Sequence, residues 1–129
     1  MPTRLPGTAE RIPLHTAQQF NDRIVERTLS DVALYQHASP ELRDARIHQL
    51  DREWDTERVL ETSHGALLIA IGVLGLLAPR RWLAVAAGLI GGFLLQHALQ
   101  GWSPQVPLVR RVGVRTPYEI AGEKSALMR

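Results

Sequence analysis

No cysteine occurs among the 129 residues, which excludes disulfides, thiolate nucleophiles, persulfide carriers and thiolate metal sites. Acidic side chains are missing from a long central stretch, with none between Glu61 and Glu119. A helix pair exposing one face to water would carry some, so lipid around this stretch is the expectation. There is no glycine-rich phosphate loop, nucleophile elbow or zinc-protease pattern. No catalytic residue is nominated, no cofactor is implied, and the chain is not expected to be an enzyme. The basic residues form no stripe with interleaved aromatics, so nucleic acid is not an expected partner. The first apolar run begins some sixty residues from Met1, too late for a cleaved secretion signal, and secretion is not expected.

What the sequence does contain is sharply segregated. Residues 1–63 carry eleven Asp or Glu and eight Arg, residues 64–100 only Arg80 and Arg81, and residues 101–129 five basic and two acidic groups. Two strictly apolar runs, Gly65 to Ala78 and Trp82 to Leu95, flank the turn Pro79-Arg80-Arg81. Each is about fourteen residues long, short for a span, but the uncharged stretch extends through Thr62 to His64 on one side and Gln96 to Gln100 on the other. Trp82 and Trp102 are twenty residues apart, about 30 Å along a helix, which matches a hydrocarbon core with tryptophan at both interfaces. Arg80, Arg81, Trp82 and Trp102 are therefore the expected membrane-interface anchors. Arg43, Arg46, Arg52 and Arg58 precede the apolar runs and Arg110, Arg111 and Arg115 follow them, against two arginines in the turn. That bias predicts both termini in the cytoplasm.

The flanking regions show helix signals. Thr16 with Gln19 fits a capping box, and Phe20, Ile24, Thr28, Val32 and Tyr35 recur at helical spacing, predicting a helix from Ala17 to Gln36. Ser39-Pro40 begins a second, amphipathic helix with Ile47, Leu50 and Trp54 on one face. With no proline or loop signal before Pro79, that helix is expected to run on into the first apolar run. After the proline-interrupted segment SPQVP, Thr116-Pro117-Tyr118-Glu119 predicts a short terminal helix from Pro117. The expected fold is thus all-α, a two-span transmembrane helical hairpin preceded by a cytoplasmic helix pair and followed by a short C-terminal helix. Its divisions are an irregular leader over 1–15, a cytoplasmic helical region over 16–62, the hairpin over 63–101 and a cytoplasmic tail over 102–129.

Candidate functional residues follow from this frame. Ala84, Gly88 and Gly92 fall four apart in the second span, a flat strip where another helix can approach closely. Either the first span, with its own small Gly72 and Gly75, or a second copy of the chain would fill it. Folding about Arg80 and Arg81 brings His64 and His97 to the same depth, near Glu61, Gln96 and Gln100. Two imidazoles without a third ligand at ligand spacing are a poor metal set, and no metal is assigned to them. His15, His37 and His48 are expected to face solvent, and Asp51, Glu53, Asp55, Glu57 and Glu61 to form a solvated face with nearby arginines.

The segments REWDTERVLETS, LLQHALQGW, PQVPLVRRVGVRT and EIAGEKSAL, running from the region of Trp54 to the C-terminus, resemble the bacterial YgaP-like inner-membrane family. That family's shared unit is a two-helix transmembrane hairpin, alone or joined to a soluble domain such as a rhodanese. The resemblance implies an inner-membrane hairpin with cytoplasmic termini and supplies no catalytic residue. Family members often have cysteine where this chain has Ser103, and without a thiol no sulfurtransferase activity carries over. The lipid bilayer is the expected partner, with a second copy or another membrane or cytoplasmic protein engaged by the spans or the head. A small oligomeric pore and a soluble helical oligomer with a buried apolar hairpin are the alternatives.

Overall fold

A computed structural model describes residues 5–129. Among the described residues there are seven helices and no strand. They are α1 (Arg11–Leu14), α2 (Gln18–Tyr35), α3 (Pro40–Leu50), α4 (Thr56–Leu77), α5 (Arg81–Gln100), α6 (Val106–Arg111) and α7 (Pro117–Leu127). Helices α4 and α5 pair as a hairpin, while α2, α3, α6 and α7 pack as a helical head at its foot.

Most of α2 and the start of α3 follow their sequence signals. Ile24 is buried and Phe20, Thr28, Val32 and Tyr35 are half-buried, the face their spacing predicts. Ser39 accepts from the Leu42 N–H at 3.4 Å, and Pro40 opens α3 where its missing N–H is no loss. At Thr16 the outcome differs. Ala17 is the N-cap of α2 and has no side-chain cap, whereas the Thr16 hydroxyl donates to the Ile12 carbonyl at 2.8 Å and closes α1. Residues 1–4 of the expected leader lie outside the described residues, but α1 anchors the stretch behind it, with Ile12 packed against Leu60 and Val106.

The second helix does not run into the apolar stretch. It ends at Leu50, and Asp55 starts α4 afresh by accepting from the Arg58 N–H at 2.8 Å. The backbone in between leaves the helix so that the Thr56 N–H can donate to the Arg115 carbonyl at 2.9 Å. Trp54 therefore does not share the buried face of Ile47 and Leu50. It is 51 % exposed, and the Arg58 guanidinium lies 4.9 Å from the centre of its ring.

Helix α5 ends at Gly101 with φ +76°, a left-handed C-cap that favours glycine. A Cβ there would come within 2.5 Å of the Arg11 backbone, so glycine also permits the close approach of α1. Helix α6 was not foreseen from the proline-rich segment. It starts at Val106 and holds Pro107 in its first turn, where the lost donor is one a helix leaves unpaired anyway. Helix α7 has the expected capping box, with Thr116 and Glu119 each bonding the other's backbone. Its Ile120 and Leu127 meet Leu50 in a second apolar cluster bordered by Tyr35 and Ile47.

Candidate functional site

Helices α4 and α5 pack along one stripe each. On α5 the inward positions are Leu83, Ala86, Ala87, Ile90, Leu94 and His97, spaced by three and four residues. On α4 Leu60 and His64 are buried at the foot, with Leu60 packed on Ile12 and Val106, and Ile71 and Gly75 lie half-buried beside Leu83 and Ala87 nearer the turn. Ala84, Gly88 and Gly92 are exposed, and a Cβ added at Gly88 or Gly92 would meet nothing within 4 Å. A Cβ at Gly72 or Gly75 would likewise meet nothing within 4 Å, although Gly75 is half-buried and lines a groove with Leu83, Ala84 and Ala87. Of the strip, Ala84 borders α4 near the turn, while Gly88 and Gly92 lie exposed.

Outside the inward stripe the hairpin is apolar and bare. Ile69, Leu76, Leu77, Val85, Leu89 and Leu95 are between 58 % and 88 % exposed. Arg80, Arg81 and Trp82 lie exposed at the turn end, and Trp102 at the foot packs edge-on against Phe93 with centroids 6.2 Å apart.

At the foot of the hairpin both histidines are buried. His64 Nδ1 lies 2.7 Å from the Leu60 carbonyl, while His97 Nε2 lies 3.2 Å from Glu57 Oε2. Arg11 spans the same place, donating to the Ala98 carbonyl at 2.6 Å and to Glu57 at 2.9 Å. Glu57, not Glu61, is the carboxylate that meets His97, and Gln96 bonds instead to Gln100. No group of three or more His, Asp or Glu positioned for a metal ion occurs among the described residues.

The head is built on buried ion pairs that sequence spacing did not reveal. Arg115, fully buried, donates Nε and Nη2 to the two oxygens of Glu53 at 2.8 and 2.6 Å, and Nη1 to Thr28 and Glu123. Glu123 is also fully buried and accepts from Arg46 Nε at 2.8 Å, while Arg46 Nη2 reaches Asp31 at 2.9 Å. Arg110 forms a bidentate pair with Glu119 at 2.6 and 2.8 Å and donates to Asn21. Burial alone would raise the Glu53 and Glu119 carboxyls, but the hydrogen bonds and charge of Arg115 and Arg110 outweigh it and hold both below the usual carboxylate range. Burial would lower Arg115, and its bonds to Glu53 and Glu123 raise it instead.

The expected solvated acidic face is thus only partly present. Asp51 and Glu61 are exposed, but Glu53 and Glu57 are half-buried in long-range pairs and Asp55 is a cap. His15, His37 and His48 are exposed, as their scattered positions suggested.

These ion pairs and hydrogen bonds tie the head helices to one another, and the hairpin presents an apolar surface. Compared with known proteins, the chain matches no family model, no curated protein and no solved structure.

Proposed function

We propose that this is a small integral protein of the bacterial inner membrane, in which α4 and α5 cross the bilayer and the helical head lies with both termini in the cytoplasm. The observation that carries the proposal is the bareness of the hairpin. Both helices are long and apolar enough to cross a membrane, yet only 11 % of either apolar window is buried within the chain. The core of a soluble protein would cover such helices, and a bilayer covers them without further protein. The excess of arginines flanking the hairpin over those in its turn supports the cytoplasmic side for the head. The resemblance to YgaP-like hairpins supports the same arrangement.

In this reading the protein is a non-enzymatic interaction module. The strip of Ala84, Gly88 and Gly92, exposed along α5, serves association with a second copy or another spanning helix. The head, with Trp54 half-exposed among charges, offers a surface to a cytoplasmic partner. A pore reading has less support, because the spans offer few polar groups to line it: His64 and His97 are buried at the hairpin foot, which leaves Gln96.

Alkaline carbonate extraction of membranes from bacteria expressing the tagged chain tests the proposal. Retention in the membrane pellet is expected. Release into the supernatant would favour a soluble oligomer whose copies cover one another's hairpins.

A further inference from the structure

A cleft of about 260 Å³ opens between α2 and the end of α6. Four of the eight residues lining it are arginines, namely Arg23, Arg27, Arg110 and Arg111, and none is acidic. Phe20 and Ile24 supply apolar wall. Such a concentration of guanidinium groups around one opening is unfavourable by mutual repulsion unless an anion sits among them.

The carboxylates nearby neutralise only part of the cleft. Glu119 pairs with the terminal nitrogens of Arg110. Asp31 lies 3.9 Å from Arg27 Nε but is held at 2.9 Å by Arg46. Arg23 lies over the Phe20 ring, 5.1 Å from its centre, and neither Arg23 nor Arg111 forms an ion pair among the described residues. Arg110 is 1 % exposed, and its buried Nε–H has no hydrogen-bond partner. A buried guanidinium N–H without an acceptor is a standing penalty.

We propose that this cleft is a binding site for a phosphate group. Planar, permanently charged guanidinium forks match tetrahedral phosphate oxygens better than they match a halide or a neutral ligand. The volume is below the usual range of roughly 300–1,000 Å³ for small-molecule pockets, so a phosphate with a small substituent fits and a bulky ligand does not. With the hairpin read as membrane-spanning, α6 packs on the head end of α4, where Ser63 donates to the Gln105 side chain at 2.8 Å. The phosphate therefore comes either from a lipid headgroup or from solution.

The test uses the full chain purified in a neutral detergent, with thermal unfolding followed as ligand is added. One arm adds inorganic phosphate against chloride at equal ionic strength. The other adds phosphatidic acid against phosphatidylcholine in mixed micelles. The variant Arg23→Gln with Arg111→Gln removes two lining guanidinium groups without touching an ion pair of the head. A saturable rise in Tm of about 4 °C at tenfold excess over half-saturation is expected in at least one arm, falling by half or more in the double variant. A response to inorganic phosphate shows that free phosphate suffices. A response to phosphatidic acid alone assigns the headgroup. Equal responses to phosphate and chloride together with equal responses to the two lipids, or a rise undiminished in the double variant, would overturn the proposal. Carbonate extraction reads the membrane assignment separately, and the phosphate arm stands or falls without it.

Discussion

Glu123 holds two arginines from distant parts of the chain, Arg46 of α3 and Arg115 in the segment before α7, with no solvent reaching any of its surface. Buried ion pairs are poor stabilisers when compared with apolar replacements of the whole set, but removing one member strands the others. Glu123→Ala is therefore expected to destabilise the head by about 3–5 kcal/mol, whereas Glu26→Ala, at an exposed position of α2, is expected to change stability by less than about 0.5 kcal/mol. Urea unfolding of the head in detergent, followed by circular dichroism, measures both, and equal midpoints would contradict this role for Glu123. The carboxyls of Glu53 and Glu119 set the pH dependence. Their folded values lie below the unfolded ones, so the stability they contribute is fully present above the unfolded carboxylate pKa of about 4.3 and is lost as pH falls through the folded values. Urea midpoints are expected to be level between pH 6 and 8 and to fall below about pH 4.5. None of this network was legible in the sequence. Arg115 and Glu53 are 62 positions apart, and chain-local reasoning assigns such charges to nearby partners. Just one pair at i,i+4 spacing forms among the described residues, Arg27 with Asp31 at 3.9 Å.

Element boundaries were legible where a local hydrogen bond defines them. Ser39-Pro40 and Thr116-Pro117-Tyr118-Glu119 state their caps in adjacent residues, and α3 and α7 begin there. The start of α4 at Asp55 was missed because a cap without proline or glycine is easily read as one more charge on a continuing helix, and the break depends on distant Arg115. The strip on α5 shows a different limit. Four-residue spacing of small side chains identifies a surface suited to close packing, but only the packed hairpin shows which side of α5 faces α4. Because a Cβ at Gly88 or Gly92 meets open space, the double substitution Gly88→Leu and Gly92→Leu is expected to leave the thermal stability of the hairpin within about 1 kcal/mol of the original. Association should weaken instead. Crosslinking in detergent is expected to lose its dimer or higher bands, and an unchanged oligomer pattern would remove the strip from the account.

On the scale of the whole molecule, the head and the hairpin differ in what solvates them. The head buries ion pairs and an apolar cluster among its helices, whereas the hairpin turns leucine, isoleucine and valine outward over most of its surface. That contrast was visible in the sequence as the absence of acidic residues between Glu61 and Glu119, because charge segregation follows the environment of a segment directly. The cysteine-free sequence allows the most direct test of the central claim, that lipid covers the hairpin and separates its turn from the head. Single substitutions Ser30→Cys in the head, Val73→Cys in α4 and Pro79→Cys in the turn are labelled with a membrane-impermeant maleimide in bacterial spheroplasts, before and after rupture and then under denaturation. The account predicts labelling of Pro79→Cys in intact spheroplasts, of Ser30→Cys only after rupture, and of Val73→Cys only on denaturation; labelling of Val73→Cys as readily as Ser30→Cys under native conditions would contradict it.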